Sequence, residues 1–285
     1  MTAGVQAATS PLRDVPGPSA YGGGAQRFLN LLWLVSTTDF RLTFFGTVLG
    51  FLWTLVRPLM LFAVLYFVFS KVFRIDVPHY AVLLLLNLML FNFFLDATNR
   101  SVESVLKQET VVRKMQFPRM VIPLSVVLTT LFTLCLNMIV VFVFIVASGV
   151  EPMSTWLLLP FILFPLVVFT AAMAMILSSL FPRYRDVGQI WSVLGFVFLY
   201  GSPVLYPASI LVESAPDFKW ILLINPFAPL LEQAHRWIID PAAPTVVQNA
   251  GSYWGWIGPA LVFSAVCALA VWIFNRQAPR IAEEL

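Results

Sequence analysis

Six apolar stretches, each long enough to cross a lipid bilayer, constrain the fold of this chain more than any other feature of its sequence. They lie at about 49–73, 80–97, 121–150, 155–181, 187–206 and 253–274. A helix needs about 20 consecutive apolar residues to span the hydrocarbon core. With 60% hydrophobic and only 11% charged residues, the chain also lacks the polar surface of a soluble protein. We therefore predict an all-α membrane protein with six transmembrane helices.

The residues before the first crossing divide into two parts. Residues 1–26 are rich in Ala, Gly, Pro and Ser, and no apolar core follows a basic start, so we predict a disordered tail and no signal peptide. Residues 27–45 are amphipathic, with Phe28, Leu32 and Val35 on one side. We predict an interfacial helix there, lying on the membrane. At the other end of the chain, 276–285 is predicted to be a short charged tail.

The segment 99–119 is a polar interruption between two apolar crossings. It contains five of the 17 basic residues and two acids. Glu103 and Lys107 stand four residues apart, as do Glu109 and Arg113, with the acid first, which favours a helix. We predict a short surface helix that serves as a docking surface.

The distribution of Lys and Arg predicts the orientation. One side of the six-helix topology holds 12 of these residues and the other holds four, with Arg57 inside the first crossing. Because the cytoplasmic side of membrane proteins is enriched in Lys and Arg, both termini and the segment 99–119 are predicted to be cytoplasmic. The segment 207–252 is then external.

Motifs for catalysis or nucleotide binding are not apparent in the sequence. His79 and His235 lack neighbouring metal ligands, and Cys135 and Cys267 lie within apolar segments. No glycine-rich phosphate loop with Lys and Ser or Thr is found, so ATP would have to be hydrolysed by another polypeptide. We predict no enzyme activity, no metal, no cofactor in this chain and no nucleic-acid partner.

Five motifs, in order along the chain, resemble those of the ABC-2 type polysaccharide exporters. They are DFRLTFFGTVLGFLWTLVRPL (39–59), VVRKMQFPRMVIPLS (111–125), FPRYRDVGQIW (181–191), GSPVLYP (201–207) and NPFAPL (225–230). These exporters move O-antigen, teichoic acid, capsule or cell-wall galactan chains. The resemblance covers about 27–275 and implies the permease subunit of such an exporter.

The resemblance also implies partners and a mechanism. It implies a homodimer of permeases in the bacterial inner membrane, with two copies of an ABC ATPase that bind ATP and Mg²⁺. The segment 99–119 would be the coupling helix, with the candidate contact residues Glu103, Lys107, Glu109, Arg113 and Lys114. Charge reversal at Glu109 or Arg113 is expected to uncouple ATP hydrolysis from export.

The implied substrate is a polysaccharide on a polyprenyl-pyrophosphate lipid, and the sequence offers candidates for its path. Arg57 is a cation within a crossing, either extending to the membrane surface or binding the pyrophosphate, for which its planar guanidinium is suited. Aromatic rings could offer a sliding surface for sugars, although most aromatic side chains are expected to face lipid. The aromatic candidates are Trp53, Phe91, Phe94, Phe198 and Tyr200.

The segment 207–252 is predicted to form either a plain connector or, by the resemblance, short helices that gate the exit. The candidate gate residues are Pro203, Pro207, Asn225 and Pro226. Within it, Glu232 and Arg236 stand four residues apart and are predicted to form an ion pair.

Other functions remain open at this point. An ABC-2 permease for drugs or small lipids would show the same topology. An integral membrane enzyme that modifies glycans would need a cluster of acid, base or nucleophile at one membrane face. A channel or a scaffold is a further alternative.

Overall fold

A computed structural model describes residues 24–44, 50–75, 77–108 and 118–277 of the chain. Across these residues the regular secondary structure is helical, which confirms the prediction of an all-α membrane protein. The α-helices are α1 (Gly24–Phe44), α2 (Gly50–Phe67), α3 (Tyr80–Val102), α4 (Ser104–Lys107), α5 (Val121–Ala147), α6 (Leu159–Leu180), α7 (Val187–Gly201), α8 (Ala208–Ser214), α9 (Trp220–Ile224), α10 (Ala228–Ile238), α11 (Val246–Ala250) and α12 (Trp254–Gln277). A π-helical turn, Val68–Val72, continues α2, and a 3₁₀ turn, Ser154–Leu158, precedes α6.

Five helical segments of the described chain are long and apolar enough to cross a membrane. They are Leu52–Val72, Tyr80–Val102, Val121–Ala147, Ser154–Leu180 and Trp254–Arg276. The fifth predicted crossing, 187–206, is helical only over Val187–Gly201, which is 15 residues. At about 1.5 Å per residue, this helix is shorter than the roughly 30 Å of a bilayer core. Ser202 is extended and Pro203 follows, so the chain leaves the helix early.

The long helices run alternately up and down, so that the bundle has two distinct ends. At one end α3 gives way to α4, α6 gives way to the turn at Arg183 and Arg185, and α12 ends beside Arg276. We call this the basic end. At the other end the segment between α7 and α12 forms four short helices, α8 to α11. We call this the capped end.

Helix α3 lies at the centre of the bundle and packs against α2, α5, α6 and α7. Its side chains are buried along almost the whole helix, because neighbours cover it on several sides. Aromatic rings from α3, α6 and α7, and from Phe227 just before α10, meet around Phe94, whose ring centroid lies 4.6 Å from that of Phe227 and 5.8 Å from that of Trp191. Phe91, Phe169 and Phe198 complete this aromatic cluster. The Trp191 Nε1–H also donates a hydrogen bond of 3.1 Å to Thr98 Oγ1, which fastens α7 to α3.

The helical boundary near the predicted coupling segment differs from the sequence prediction. Asn99 does not begin a separate helix, because α3 continues to Val102. Ser101 and Val102 are buried, and Val102 lies beside the start of α7, so packing extends the helix beyond its apolar run. The chain then turns at Glu103 into the four-residue α4, which packs against α5 and α6. The predicted coupling residues Glu109, Arg113 and Lys114 lie outside the described residues.

Helix α1 begins at Gly24, three residues before the predicted start at Arg27, and packs along α5. Ser36 is its buried residue, and its carbonyl accepts a hydrogen bond of 3.1 Å from Thr129 Oγ1. Trp33 and Phe40 both lie edge-on to Phe132 of α5. The position of α1 relative to a bilayer stays a prediction.

Hydrogen bonds hold the capped end onto the long helices. Tyr80 Oη donates to the Leu205 carbonyl at 2.6 Å, and Asn87 Nδ2 donates to the Pro203 carbonyl at 3.1 Å. Asn225 joins two parts of the chain: its Nδ2 donates to the Gly201 carbonyl at 3.1 Å and to Ser202 Oγ at 2.7 Å, while its Oδ1 accepts from the Phe227 amide at 2.8 Å. These bonds fasten the stretch after α7 to α3 and to the start of α10, while the short helices themselves pack mainly against α6 and α12.

Candidate functional site

A cavity of about 730 Å³ lies between α2, α3, α5 and α7. We call it the large cavity. Its wall contains Trp53 and Arg57 from α2, and α3 contributes side chains along three turns, from Met89 to Arg100. The cavity forms because α2 contacts α3 but leaves space between itself and α5, in which polar side chains of α5 such as Thr133 and Asn137 stand.

Charged side chains gather in the part of the large cavity nearest the basic end. Arg57 and Arg100 both interact electrostatically with Asp96, and Arg100 also interacts with Asp39 of α1. Two arginines and one aspartate line this part of the cavity, so its wall has an excess of positive charge, which Asp39 partly offsets at Arg100. The excess of arginine on this wall favours an anionic group here.

Amide groups extend this polar region deeper into the large cavity. Asn92 and Asn99 line it from α3, and Asn137 lines it from α5. Asn137 Oδ1 is buried and has no hydrogen-bond partner among the described residues. The wall therefore offers hydrogen-bonding groups as well as positive charge.

Aromatic rings form another part of the wall, and the structure separates the predicted path residues into two groups. Trp53, which is 62% exposed, lines the large cavity together with Arg57 and the buried Phe91. Phe94 does not line it, and its ring packs against the rings of Phe169 and Phe227 in the aromatic cluster. Phe198 packs in the same cluster.

Two further aromatic side chains of α7 differ from the prediction in whether they line the large cavity. Tyr200 is exposed but lies outside the residues that line the large cavity. Phe196, which was not among the candidates, lines it. The available signal was the polar Ser192, which stands four residues before Phe196 on the same side of α7 and also lines the cavity.

At the basic end, two of the predicted coupling residues are described. Lys107 Nζ lies 2.9 Å from Glu103 Oε2, and both side chains are exposed. This ion pair has the predicted i,i+4 spacing. An exposed pair of this kind contributes little to stability, about 0.2–0.5 kcal/mol, so its charges are available to another protein.

At the capped end, a second cavity of about 210 Å³ lies between the start of α3 and the short helices. We call it the capped-end cavity. The predicted gate residues Pro203 and Pro207 line it, whereas Asn225 and Pro226 are buried where the chain enters α10. The predicted ion pair between Glu232 and Arg236 is wrong. Glu232 turns inward, where its Oε1 accepts a hydrogen bond of 3.2 Å from Asn249 Nδ2 of α11.

Within residues 24–44, 50–75, 77–108 and 118–277, no three His, Cys, Asp or Glu side chains are grouped so that they could hold a metal ion.

Comparison with known proteins identifies the family. Residues 30–235 match the family described as ABC-2 type transporter. The chain belongs to the ABC-2 type transporter family. The matched residues include the whole wall of the large cavity, from Thr43 to Leu199. This confirms the resemblance found in the sequence motifs.

Relatives of this ABC-2 protein carry a common name. The chain is 32% identical over 205 residues to the O-antigen export system permease protein RfbA of Klebsiella pneumoniae, and the match covers 71% of this chain and 77% of the relative. It is 25% identical over 268 residues to the protein of the same name in Myxococcus xanthus, covering 91% of this chain and 96% of the relative. The second similarity extends beyond the family match and includes most of the capped end.

Proposed function

We propose that this chain is the permease subunit of an ATP-driven exporter that moves a polysaccharide, carried on a polyprenyl-pyrophosphate lipid, from the cytoplasm across the bacterial inner membrane. The observation that carries the proposal is the large cavity, in which arginines and aromatic rings share one wall of an ABC-2 protein. The names of its relatives, which are O-antigen export permeases, support a polysaccharide as the substrate.

The two parts of the wall suit the two parts of such a substrate. Arg57 and Arg100 lie on the same wall, and guanidinium groups bind phosphate oxygens in pairs. Trp53 and Phe196 present exposed rings, which pack against the C–H faces of sugars without fixing them by hydrogen bonds. A long chain can therefore move along this surface one sugar after another.

In this proposal, a second copy of the chain completes the substrate path, and an ABC ATPase supplies the energy. A homodimer of this chain would close the path, because α2 leaves its apolar face and the wall of the large cavity uncovered. Two copies of an ABC ATPase would bind ATP and Mg²⁺ and dock at the basic end, near Glu103 and Lys107. Closure of the ATPase dimer would then move α4 and, through it, the end of α3.

This arrangement requires the basic end to face the cytoplasm. Both termini would lie on that side, and the capped end would lie outside and gate the exit. The excess of Lys and Arg at the basic end supports this orientation.

The direct test is transport by the complex of this chain with its ATPase, reconstituted in liposomes. Lipid-linked glycans of defined length would be supplied on the ATPase side together with ATP. We expect glycan to become accessible to a glycosidase on the opposite side only when ATP is hydrolysed. If small lipids or drugs are transported and glycans are not, the chain is an ABC-2 permease of a different specificity.

A further inference from the structure

The capped-end cavity is lined by two side chains that each carry a buried oxygen atom whose hydrogen-bonding capacity is unused. Glu232 is only 9% exposed and Asn87 only 1% exposed, and both line this cavity. Among the described residues, neither Glu232 Oε2 nor Asn87 Oδ1 has a hydrogen-bond partner. An unpaired buried acceptor costs roughly 1–3 kcal/mol, so two of them in one cavity indicate a site that receives a donor.

The remaining groups of these two side chains are held in place by protein contacts. Asn87 Nδ2 donates to the carbonyls of Pro203 and Val204, at 3.1 and 3.5 Å. Glu232 Oε1 accepts from Asn249 Nδ2. Each side chain therefore has one atom fixed by the fold and the other left for a ligand, which is how a preorganised binding site is built.

The charge of the wall limits what this ligand can be. The titratable groups that line the cavity are Glu232, His235 and Asp240, and the lining residues include no Lys or Arg. Burial lowers the pKa of His235, which keeps its ring neutral, although Asp240 opposes this shift. A phosphate or a uronic acid would meet negative charge without compensation, so the ligand is neutral and rich in hydroxyl donors.

The size of the cavity limits the ligand further. At about 210 Å³, the cavity is smaller than the roughly 300–1,000 Å³ of sites for drug-sized ligands. A single sugar ring fits this space, whereas an oligosaccharide does not. Pro203, Pro207 and Ser209 belong to the wall, so the site lies where the chain leaves α7 for the short helices of the capped end.

We propose that the capped-end cavity binds one neutral sugar unit, whose hydroxyl groups donate hydrogen bonds to Asn87 Oδ1 and Glu232 Oε2. The proposal rests on the proposed function in one respect, namely that the sugar belongs to the exported polysaccharide. It adds a polar site at the capped end, separate from the large cavity, that holds a sugar next to the predicted gate.

The proton equilibrium of Glu232 is compatible with this site. Burial raises the pKa of its carboxyl to about 7, while the hydrogen bond from Asn249 acts in the opposite direction. Near neutral pH both forms of the carboxyl are populated. Each form accepts a hydroxyl hydrogen, and the protonated form also donates to a sugar oxygen.

Sugar binding can be measured without transport, on the full-length chain with its ATPase in lipid nanodiscs and without nucleotide. Methyl α-D-glucopyranoside would be titrated and detected by saturation-transfer difference NMR, with D-glucuronate and putrescine as charged probes. We expect binding of the neutral glycoside at millimolar concentration, and at least tenfold weaker binding of both charged probes. Absence of glycoside binding, equal binding of glucuronate, or preference for putrescine would each overturn the proposal.

Two variants place the binding in this cavity. Glu232→Met removes the acceptor at similar size, and Ser209→Trp fills the space from the half-buried Ser209, on another helix. We expect each to weaken glycoside binding at least tenfold, whereas Glu213→Gln, an exposed carboxyl of α8 that does not line the cavity, binds like the wild type. Wild-type binding by both cavity variants would show that the sugar binds elsewhere.

The same preparations distinguish this proposal from the proposed function. If the complex exports lipid-linked glycan but binds no glycoside at the capped end, the proposed function is supported and the proposed sugar site is rejected. If the complex binds the glycoside but exports no glycan, the sugar site is supported and the proposed function is rejected.

Discussion

Helices α2 and α3 are similarly apolar, yet they lie in opposite environments. Over the most apolar part of each, 78% of the residues of α3 are buried, compared with 0% for the segment Leu52–Val72 that contains most of α2. Helix α3 is enclosed by four neighbours, whereas α2 contacts mainly α3. Hydrophobicity alone therefore shows that a helix enters the membrane but does not show whether it faces protein or lipid.

The difference also divides the roles of the two helices. Helix α3 supplies packing, through Phe94 and the aromatic cluster. Helix α2 presents Trp53 and Arg57 to the large cavity and keeps its apolar face for lipid or a second copy of the chain. Substitutions of the buried rings of α3 should therefore affect folding, and substitutions of the cavity residues of α2 should affect transport.

The largest expected effect tests the packing role of α3. Phe94→Ala removes a completely buried ring and leaves a cavity, which should lower the free energy of unfolding by about 3–5 kcal/mol. The matched variant in α2, Phe67→Ala, removes an exposed ring and should change it by less than about 0.5 kcal/mol. Reversible unfolding in mixed detergent micelles measures both. Similar losses in the two variants would remove the distinction between the helices.

The next effect contrasts a buried carboxyl with an exposed one at the capped end. Burial raises the pKa of Glu232 from 4.5 to about 7. Between these values the folded protein holds a proton that the unfolded chain has released, so the free energy of unfolding falls as the pH rises, in total by on the order of 3 kcal/mol. Below about pH 4.5 and above about pH 7, Glu232 does not make the free energy of unfolding depend on pH.

Unfolding measured from pH 4 to pH 8 tests this dependence, with Glu232→Gln and Glu213→Gln as the matched variants. The difference in the free energy of unfolding between the wild type and Glu232→Gln should change between about pH 4.5 and pH 7, because protonation of Glu232 is linked to folding in this range. Glu213→Gln should follow the wild-type curve. If Glu232→Gln shows the same pH dependence of the free energy of unfolding as the wild type, this dependence comes from other titratable groups.

A third effect separates transport from stability in α2. Arg57→Gln removes a cation from the wall of the large cavity and should lower the rate of glycan export at least tenfold, equivalent to about 1.4 kcal/mol in the barrier. Its free energy of unfolding should remain close to that of the wild type, because Arg57 is exposed. Lys71→Gln, near the other end of the same helical segment, should export normally. Normal export by Arg57→Gln would exclude a role in binding the pyrophosphate.

The smallest effect concerns a single hydrogen bond to α3. Trp191→Phe keeps an aromatic ring in the cluster but removes the donor to Thr98 Oγ1, which should cost about 1 kcal/mol of unfolding free energy. Trp254→Phe, at an exposed position of α12, should have no measurable effect. Equal stabilities of Trp191→Phe and the wild type would show that ring packing alone fastens α7 to α3.

Much of the fold could be predicted from the sequence, because long apolar runs in a membrane have few alternatives to the helix. The exceptions arise where tertiary packing determines the boundary. Helix α3 extends to Val102 because buried contacts continue past its apolar run, and α7 stops at Gly201 because the chain turns into the capped end.

The candidate sites were predicted less completely, for reasons of geometry. Arg57, Trp53 and Phe91 were named as path residues and share the wall of the large cavity, but Phe94 packs into the core and Phe196 was missed. Glu232 and Arg236 have the spacing of an ion pair, yet Asn249, 17 residues away, binds the carboxylate instead. Local spacing identifies possible partners, and only the folded chain selects among them.

The side chain of Asn225 has a mechanical consequence. Its three hydrogen bonds hold the end of α7 to the start of α10. As long as they remain intact, any displacement of α10 also moves α7, whose first turn lies at the opposite end of the bundle beside Phe181 and Val102. One amide group thus connects the start of α10, along α7, with the turn that follows α6.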